Sequence, residues 1–166
     1  MLVRIKGLID EDFVNYKKAS MFIAFPSCTF KCERENPECH CQNGTLAASP
    51  DIEVDTKYIV DRYMKNSITS AIVCGGLEPI DSIEELYNLI MAFRLKTDDD
   101  VVIYTGYMKD EIEEKVSLLS SFKNIIIKFG RYVPNQEHVF DPILGVELSN
   151  IGQYGEIISK NKGGVC

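Results

Sequence analysis

A short cysteine-rich stretch directly after an apolar run is the feature that most constrains this chain. Four of the six cysteines fall in the segment FPSCTFKCERENPECHCQN, residues 25–43. The residues before it, Met21 to Phe25, are apolar and Pro26 follows them, which is typical of a strand that ends and passes into a loop. We therefore expect these thiols on one loop at a strand end. They are Cys28, Cys32, Cys39 and Cys41.

Clustered thiols can form disulfides, hold zinc or hold an iron–sulfur cluster. The sequence after Met1, LVRIKGLIDED, lacks the apolar core and cleavage site of a signal peptide, which disfavours a secreted disulfide framework. Reduced clustered thiols usually bind metal. Structural zinc normally takes close pairs of ligands separated by about two to four residues. The single residue between Cys39 and Cys41 is tight for such a pair, but zinc stays open.

Length and charge limit the class of protein. The 166 residues suit one domain, and we expect it to span residues 1–153, with a polar, glycine-rich tail at 154–166. The net charge of −7 argues against a nucleic-acid partner, because phosphates require a basic face. No apolar run approaches the ~20 residues of a membrane span. We expect a cytoplasmic protein that contacts neither nucleic acid nor membrane.

Apolar runs and amphipathic segments alternate from Met21 to Phe129, which predicts an α/β fold with a parallel sheet and crossover helices. Four such units are too few for a closed eight-stranded barrel, so we expect a partial (β/α) barrel. Strands are predicted in 67–74, 101–104 and 124–129, helices after Asp55-Thr56, after Asp81-Ser82 and over 111–119, a turn or helix start at 10–12, and a loop at 44–50.

The strand ending near Cys74 leads into Gly75-Gly76-Leu77-Glu78-Pro79. Two glycines at a strand end permit positive φ and close approach of a ligand to the backbone. The carboxyl ends of parallel strands are where such folds bind ligands. Taken alone, the segment is more typical of a plain strand-to-helix turn. Cys74 lies inside the strand, which favours a buried apolar role over that of a fourth cluster ligand.

The cysteine stretch resembles the signature of the radical S-adenosylmethionine family, Cys-x3-Cys-x2-Cys, on the loop after the first strand. Cys28 and Cys32 fit the first spacing, and an insertion, roughly residues 33–38, displaces the third position. Cys41 is preceded by the aromatic His40 and followed by Gln42-Asn43, like the Cys-x-Asn of small activases in this family. The resemblance therefore implies Cys28, Cys32 and Cys41 as ligands, with Cys39 as the alternative third ligand.

Further motifs follow in the family's order between residues 3 and 153. The GGLEP segment resembles Gly-Gly-Glu-Pro, which holds the amino group of S-adenosylmethionine, with Leu77 as one additional residue. Tyr104-Thr105-Gly106-Tyr107 resembles the Trp-Thr-Gly-Tyr of anaerobic ribonucleotide reductase activases. The stretch with Gly130-Arg131-Tyr132-Val133 resembles their Asp-Gly-Lys-Phe, but Phe129 replaces the Asp, and residues 141–144 resemble their Asp-Pro-x-Leu.

The resemblance implies a [4Fe-4S] cluster held by three thiolates, whose open iron is chelated by S-adenosylmethionine. Reductive cleavage of this cofactor would generate a glycyl radical on a partner, the anaerobic ribonucleoside-triphosphate reductase, with flavodoxin or ferredoxin as electron donor. No catalytic residue is implied beyond cluster and cofactor. The alternatives are a radical enzyme acting on a small molecule or peptide, and a zinc-binding module without catalysis. The implied cofactor-binding residues are His40, Asn43, Gly75, Gly76, Glu78, Tyr104 and Thr105.

Overall fold

A computed structural model describes residues 1–30, 34–35 and 43–160. The described strands are β1 (Leu2–Ile5), β2 (Gly7–Asp12), β3 (Ser20–Phe25), β4 (Ile52–Asp55), β5 (Ala71–Gly76), β6 (Asp100–Tyr104), β7 (Ile125–Phe129), β8 (Val139–Asp141), β9 (Val146–Leu148) and β10 (Tyr154–Ile157). The helices whose bounds lie within the described residues are α1 (Gly44–Ala48), α2 (Thr56–Lys65), α3 (Ile83–Arg94) and α4 (Glu113–Leu119), with 3₁₀ turns at Pro79–Ser82 and Lys109–Glu111.

A six-stranded mixed sheet forms the centre of the molecule, in the order β10-β7-β6-β5-β3-β2. Strands β3, β5, β6 and β7 are parallel, and the edge strands β2 and β10 run antiparallel to their neighbours. Two separate two-stranded sheets pair β1 with β4 and β8 with β9. Because the four central strands run the same way, their carboxyl ends meet at one edge of the sheet. The relation of this sheet to a partial barrel stays a prediction.

The central strands are buried on both faces, as their β-branched sequences predict. On one face, alternate residues such as Ile72, Cys74 and Ile103 pack against α2, α3 and α4. On the other face, Val73 and Val102 pack against residues that lie before β3 and around the β8–β9 hairpin. The two faces therefore carry separate apolar clusters.

The predicted helices α2 and α3 are confirmed. Asp55 caps α2 by accepting a hydrogen bond from the Lys57 backbone N–H at 2.8 Å. The apolar faces of the two helices are buried against the sheet, and they consist of Ile59, Val60 and Tyr63 in α2 and Leu86, Leu89, Ile90 and Phe93 in α3. No helix in the described part of the chain is long and apolar enough to cross a membrane.

Three segments differ from the sequence-based expectations. Residues 10–12 continue the edge strand β2, where Asp10 pairs with Arg62 at 2.6 Å, so their charges do not oppose strand formation. Residues 44–48 form α1 instead of a loop, and the Lys6 ammonium donates to the Ala47 and Ser49 carbonyls at its end. Residues 154–157, assigned to a polar tail, form β10 and pair with β7.

The buried Asp141 carboxylate connects the β8–β9 hairpin to the sheet edge. It accepts hydrogen bonds from the backbone N–H groups of Ile143 at 3.0 Å, Leu144 at 2.9 Å and Gly155 at 2.8 Å. Gly155 lies in β10, so one side chain fixes two elements that are distant along the chain. The Asp-Pro-x-Leu segment therefore has a structural role.

We expect Asp141→Ala to lower the free energy of unfolding by about 3 kcal/mol, because three backbone donors lose a charged acceptor inside the protein. Urea unfolding of the variant and of the natural protein measures this difference. Glu147→Ala is the matched control, since the Glu147 side chain is 71% exposed and its removal should change stability little. A loss below about 1 kcal/mol for Asp141→Ala would contradict this assignment.

Candidate functional site

A cavity of about 520 Å³ lies at the carboxyl ends of the parallel strands. The described residues that the resemblance singled out line this cavity together, although they come from distant parts of the chain. They are Cys28, Asn43, Gly75, Gly76, Glu78, Tyr104 and Thr105. A more open groove of about 640 Å³ runs between α4 and β10 and contains none of them.

Cys28 lies just beyond the end of β3 and is partly exposed. Its Sγ accepts a hydrogen bond from the Phe30 backbone N–H at 3.2 Å. The other predicted residues of the loop, Cys32, Cys39, His40 and Cys41, lie outside the described residues. Within the ranges that are described, no group of three or more Cys, His, Asp or Glu residues is placed to hold a metal ion. Cys28 is thus the described member of the proposed ligand set.

Hydrogen bonds tie the residue after Cys28 to the neighbouring loops. The Thr29 backbone N–H donates to Asp81 Oδ2 at 3.1 Å, and the Tyr107 hydroxyl donates to Asp81 Oδ1 at 2.8 Å. The Thr29 and Tyr107 hydroxyls are 3.4 Å apart. Asp81 follows the GGLEP segment and Tyr107 ends the YTGY segment, so the three motifs meet at one carboxylate.

Glu78 is 5% exposed and also connects the same three loops. Its backbone N–H donates to the Ser27 carbonyl at 2.8 Å. Its carboxylate accepts from the Gly106 N–H at 2.8 Å and the Ile80 N–H at 3.1 Å, and it also bonds the Thr105 side chain. Burial raises the pKa of Glu78 to about 7, against the opposing effect of these donors.

Gly76 has a φ of +88°, which β-carbon-bearing residues rarely adopt. A β-carbon at this position would lie 2.8 Å from Ala24 Cα, so no larger residue fits without a shift of the backbone. The Gly76 carbonyl accepts a hydrogen bond from Asn43 Nδ2 at 2.7 Å. The glycine is therefore required by the close packing of β5 against β3, and Asn43 is held beside the cavity.

The far wall of the cavity contains a feature that the sequence reasoning missed, the buried Lys128 of β7. Its Nζ lies 5.7 Å from the centre of the Tyr104 ring, and the Tyr104 hydroxyl donates to the Asn15 carbonyl at 2.5 Å. The only available signal was one lysine in the apolar run NIIIKF. Arg131, also at the cavity, pairs with Glu35 at 2.9 Å and Glu111 at 2.7 Å.

Cys74 faces the opposite side of the sheet from the cavity. It is 1% exposed within the apolar cluster under the helices, and burial raises the pKa of its thiol to about 12. A thiol in this environment stays protonated and is a poor metal ligand. The prediction that Cys74 is a buried apolar residue is confirmed.

The raised pKa of Glu78 predicts a pH dependence of stability. Because the native state holds this proton more tightly than the unfolded state, the contribution of Glu78 to stability falls as pH rises from 4.5 to about 7 and then levels. Glu78→Gln should remove a fall of about 3 kcal/mol over this range. Urea unfolding at several pH values measures the difference between the two proteins.

Glu137→Gln, at an exposed position, is the control and should follow the natural protein at every pH. Parallel stability curves for Glu78→Gln and the natural protein would show that Glu78 does not titrate in this range.

Comparison with known proteins gives a family. The family described as 4Fe-4S single cluster domain matches residues 17–149, which is more than half of the 166-residue chain. The matched span includes the cysteine stretch and all of the described cavity residues that the resemblance singled out. A comparison with curated proteins found no match. The match favours an iron–sulfur cluster over the zinc alternative, and the chain belongs to the 4Fe-4S single cluster domain family.

Proposed function

We propose that this protein is a radical S-adenosylmethionine activase. It cleaves S-adenosylmethionine reductively at a [4Fe-4S] cluster and generates a glycyl radical on anaerobic ribonucleotide reductase. The observation that carries the proposal is the convergence of three separated motifs, represented by Cys28, Glu78 and Tyr104, on one cavity. Family membership supports the cluster on independent grounds.

The environment of Cys28 suits a cluster ligand. Its side chain lines the cavity, the backbone N–H of the next residue, Thr29, donates to Asp81, and the Phe30 backbone N–H donates to its sulfur. Hydrogen bonds to ligand sulfurs are one of the ways in which proteins tune cluster potentials. Cys32 and Cys41 complete the proposed set by resemblance. When bound, the reduced cluster supplies the electron that breaks the bond between the cofactor's sulfur and C5′ of its adenosyl group.

The cavity also suits the proposed cofactor. Its volume of about 520 Å³ is within the roughly 300–1,000 Å³ of small-molecule sites. Gly75 and Gly76 let a ligand approach the backbone, and the buried Glu78 provides a carboxylate for an ammonium group. The roles of these residues toward S-adenosylmethionine are part of the proposal, as are those of Asn43, Tyr104, Thr105 and His40.

Apolar side chains beside the cavity favour a protein substrate. Phe13 is 65% exposed and Val14 is 73% exposed, and Val14 also lines the cavity. Exposed apolar residues around a site are a common mark of protein–protein contact. We propose that the reductase presents its glycine loop here, and that flavodoxin or ferredoxin reduces the cluster.

Anaerobic purification tests the proposal in two steps. We expect a brown protein with about four irons and four sulfides per chain, bleached by dithionite. With S-adenosylmethionine it should release 5′-deoxyadenosine, and with the reductase it should produce a glycyl radical signal in electron paramagnetic resonance. Cofactor cleavage without a glycyl radical on the reductase would favour the alternative, a radical enzyme that acts on a small molecule or peptide. A colourless protein with one zinc would reject the proposal.

The proposed ligand set predicts a pattern among the cysteine variants. Cys28→Ala, Cys32→Ala and Cys41→Ala should each abolish 5′-deoxyadenosine formation, because a thiolate ligand is lost. Cys39→Ala should retain iron and activity, and so should Cys74→Ala, which serves as a buried control. Iron content and product formation are measured for each. If Cys39→Ala is inactive and Cys41→Ala active, the third ligand is Cys39 and the rest of the proposal stands.

A further inference from the structure

Lys128 is a buried cation inside the candidate site. The residue is 7% exposed, and its neighbours Ile127 and Phe129 pack under the helices on the opposite face of the sheet. Its Nζ donates one hydrogen bond, to the Gly130 carbonyl at 2.8 Å. Among the described residues, no carboxylate oxygen lies within 4.0 Å of this Nζ. A buried ammonium with two remaining donors and no paired anion is rare in a folded protein.

Such burial is unfavourable without an anion. Desolvation lowers the pKa of Lys128 to about 8, while the Glu78 charge acts in the opposite direction. That value leaves the amine mostly charged at neutral pH. Glu78 is not a hydrogen-bonded counter-ion, because neither of its carboxylate oxygens lies within 4.0 Å of Lys128 Nζ. The geometry therefore leaves a place for an anion from outside the chain.

The two buried charges line the same cavity. Glu78 is an acid on one wall and Lys128 is a base on the strand two positions away in the sheet. The amino-acid end of a ligand carries an ammonium and a carboxylate, and this pair of side chains matches both. The resemblance assigns no role to Lys128, because the Asp-Gly-Lys-Phe motif of the activases begins only at the position of Phe129.

We propose that Lys128 binds the carboxylate of the ligand in this cavity and is a specificity-determining residue of the site. The choice of S-adenosylmethionine as that ligand rests on the proposed function, whereas the unpaired buried ammonium does not. The bond is an ion pair shielded from solvent, in which the two free N–H donors of Lys128 meet carboxylate oxygens.

A thermodynamic cycle with one change in the protein and one in the ligand isolates the interaction between Lys128 and the ligand carboxylate. The anaerobic, cluster-loaded protein is titrated with S-adenosylmethionine and with its decarboxylated analogue, S-adenosylmethioninamine. Lys128→Met should weaken S-adenosylmethionine binding by about 30-fold or more, because a buried charged partner is removed. The analogue's affinity should change by less than about threefold. Lys109→Met, which removes a charge at an exposed ion pair, is the control and should alter neither affinity.

The outcomes separate this inference from the proposed function. If Lys128→Met weakens the binding of both ligands equally, or of neither, Lys128 is not the carboxylate partner, while the proposed function stands. If the natural protein binds neither ligand, the proposed cofactor and the role of Lys128 toward it are both rejected. If the variant shifts the cluster's midpoint potential without ligand and keeps the preference for the carboxylate, the cluster is the partner anion, and the inference is overturned.

Stability of the ligand-free protein provides a second readout. Replacing a buried charge by an apolar side chain of similar length should raise the melting temperature. The Gly130 carbonyl keeps a donor in Gln153 Nε2 at 3.4 Å. A structural lysine would behave in the opposite way, so a lower melting temperature for Lys128→Met would overturn the inference. The expected result is a more stable protein that has lost its preference for the carboxylate.

Discussion

The buried carboxylate of Glu78 is the interaction on which the site depends. Its oxygens accept hydrogen bonds from the backbone N–H groups of Gly106 and Ile80. The Glu78 backbone N–H donates to the Ser27 carbonyl, so the ends of β3, β5 and β6 are held in one arrangement. Burying a carboxyl group costs free energy, which hydrogen bonds from backbone donors offset. The cysteine loop is attached to neighbouring loops at further points, through Asp81, Asn43 and Glu35.

Rigid attachment matters because cluster and ligand chemistry require fixed distances. The segment around Cys28 is joined to the GGLEP segment through Asp81 and Glu78. It is joined to the YTGY segment through Tyr107, which bonds the same Asp81. Each connection runs between loops at the same edge of the sheet. The parallel strands determine which loops become neighbours, and the hydrogen bonds determine how closely the loops approach. The fold and the site are therefore built by different interactions.

Local patterns predicted α2 and α3 because the cap of α2 and the apolar faces of both helices are formed by residues close together in sequence. The meeting of Gly76, Glu78 and Tyr104 was also predictable, since carboxyl ends of parallel strands share an edge. Helix α1 was missed because the Lys6 ammonium, distant in sequence, binds its terminal carbonyls. Strand β10 was missed because its pairing with β7 is long-range. The burial of Lys128 beside the cavity could not be predicted without knowing which face of β7 it occupies.

The two ends of the central sheet differ in how their polar groups are paired. At the amino ends, polar groups are paired within the chain: Tyr63 donates to Asp99 at 2.6 Å, and Tyr16 donates to Asp100 at 2.8 Å. At the carboxyl ends, an acid whose pKa is raised and a base whose pKa is lowered face one cavity without a direct bond to each other. Both shifts have the same cause, burial, and both disfavour the charged form. A ligand that carries the opposite charges would relieve both penalties at once, so this end of the sheet is suited to bind one.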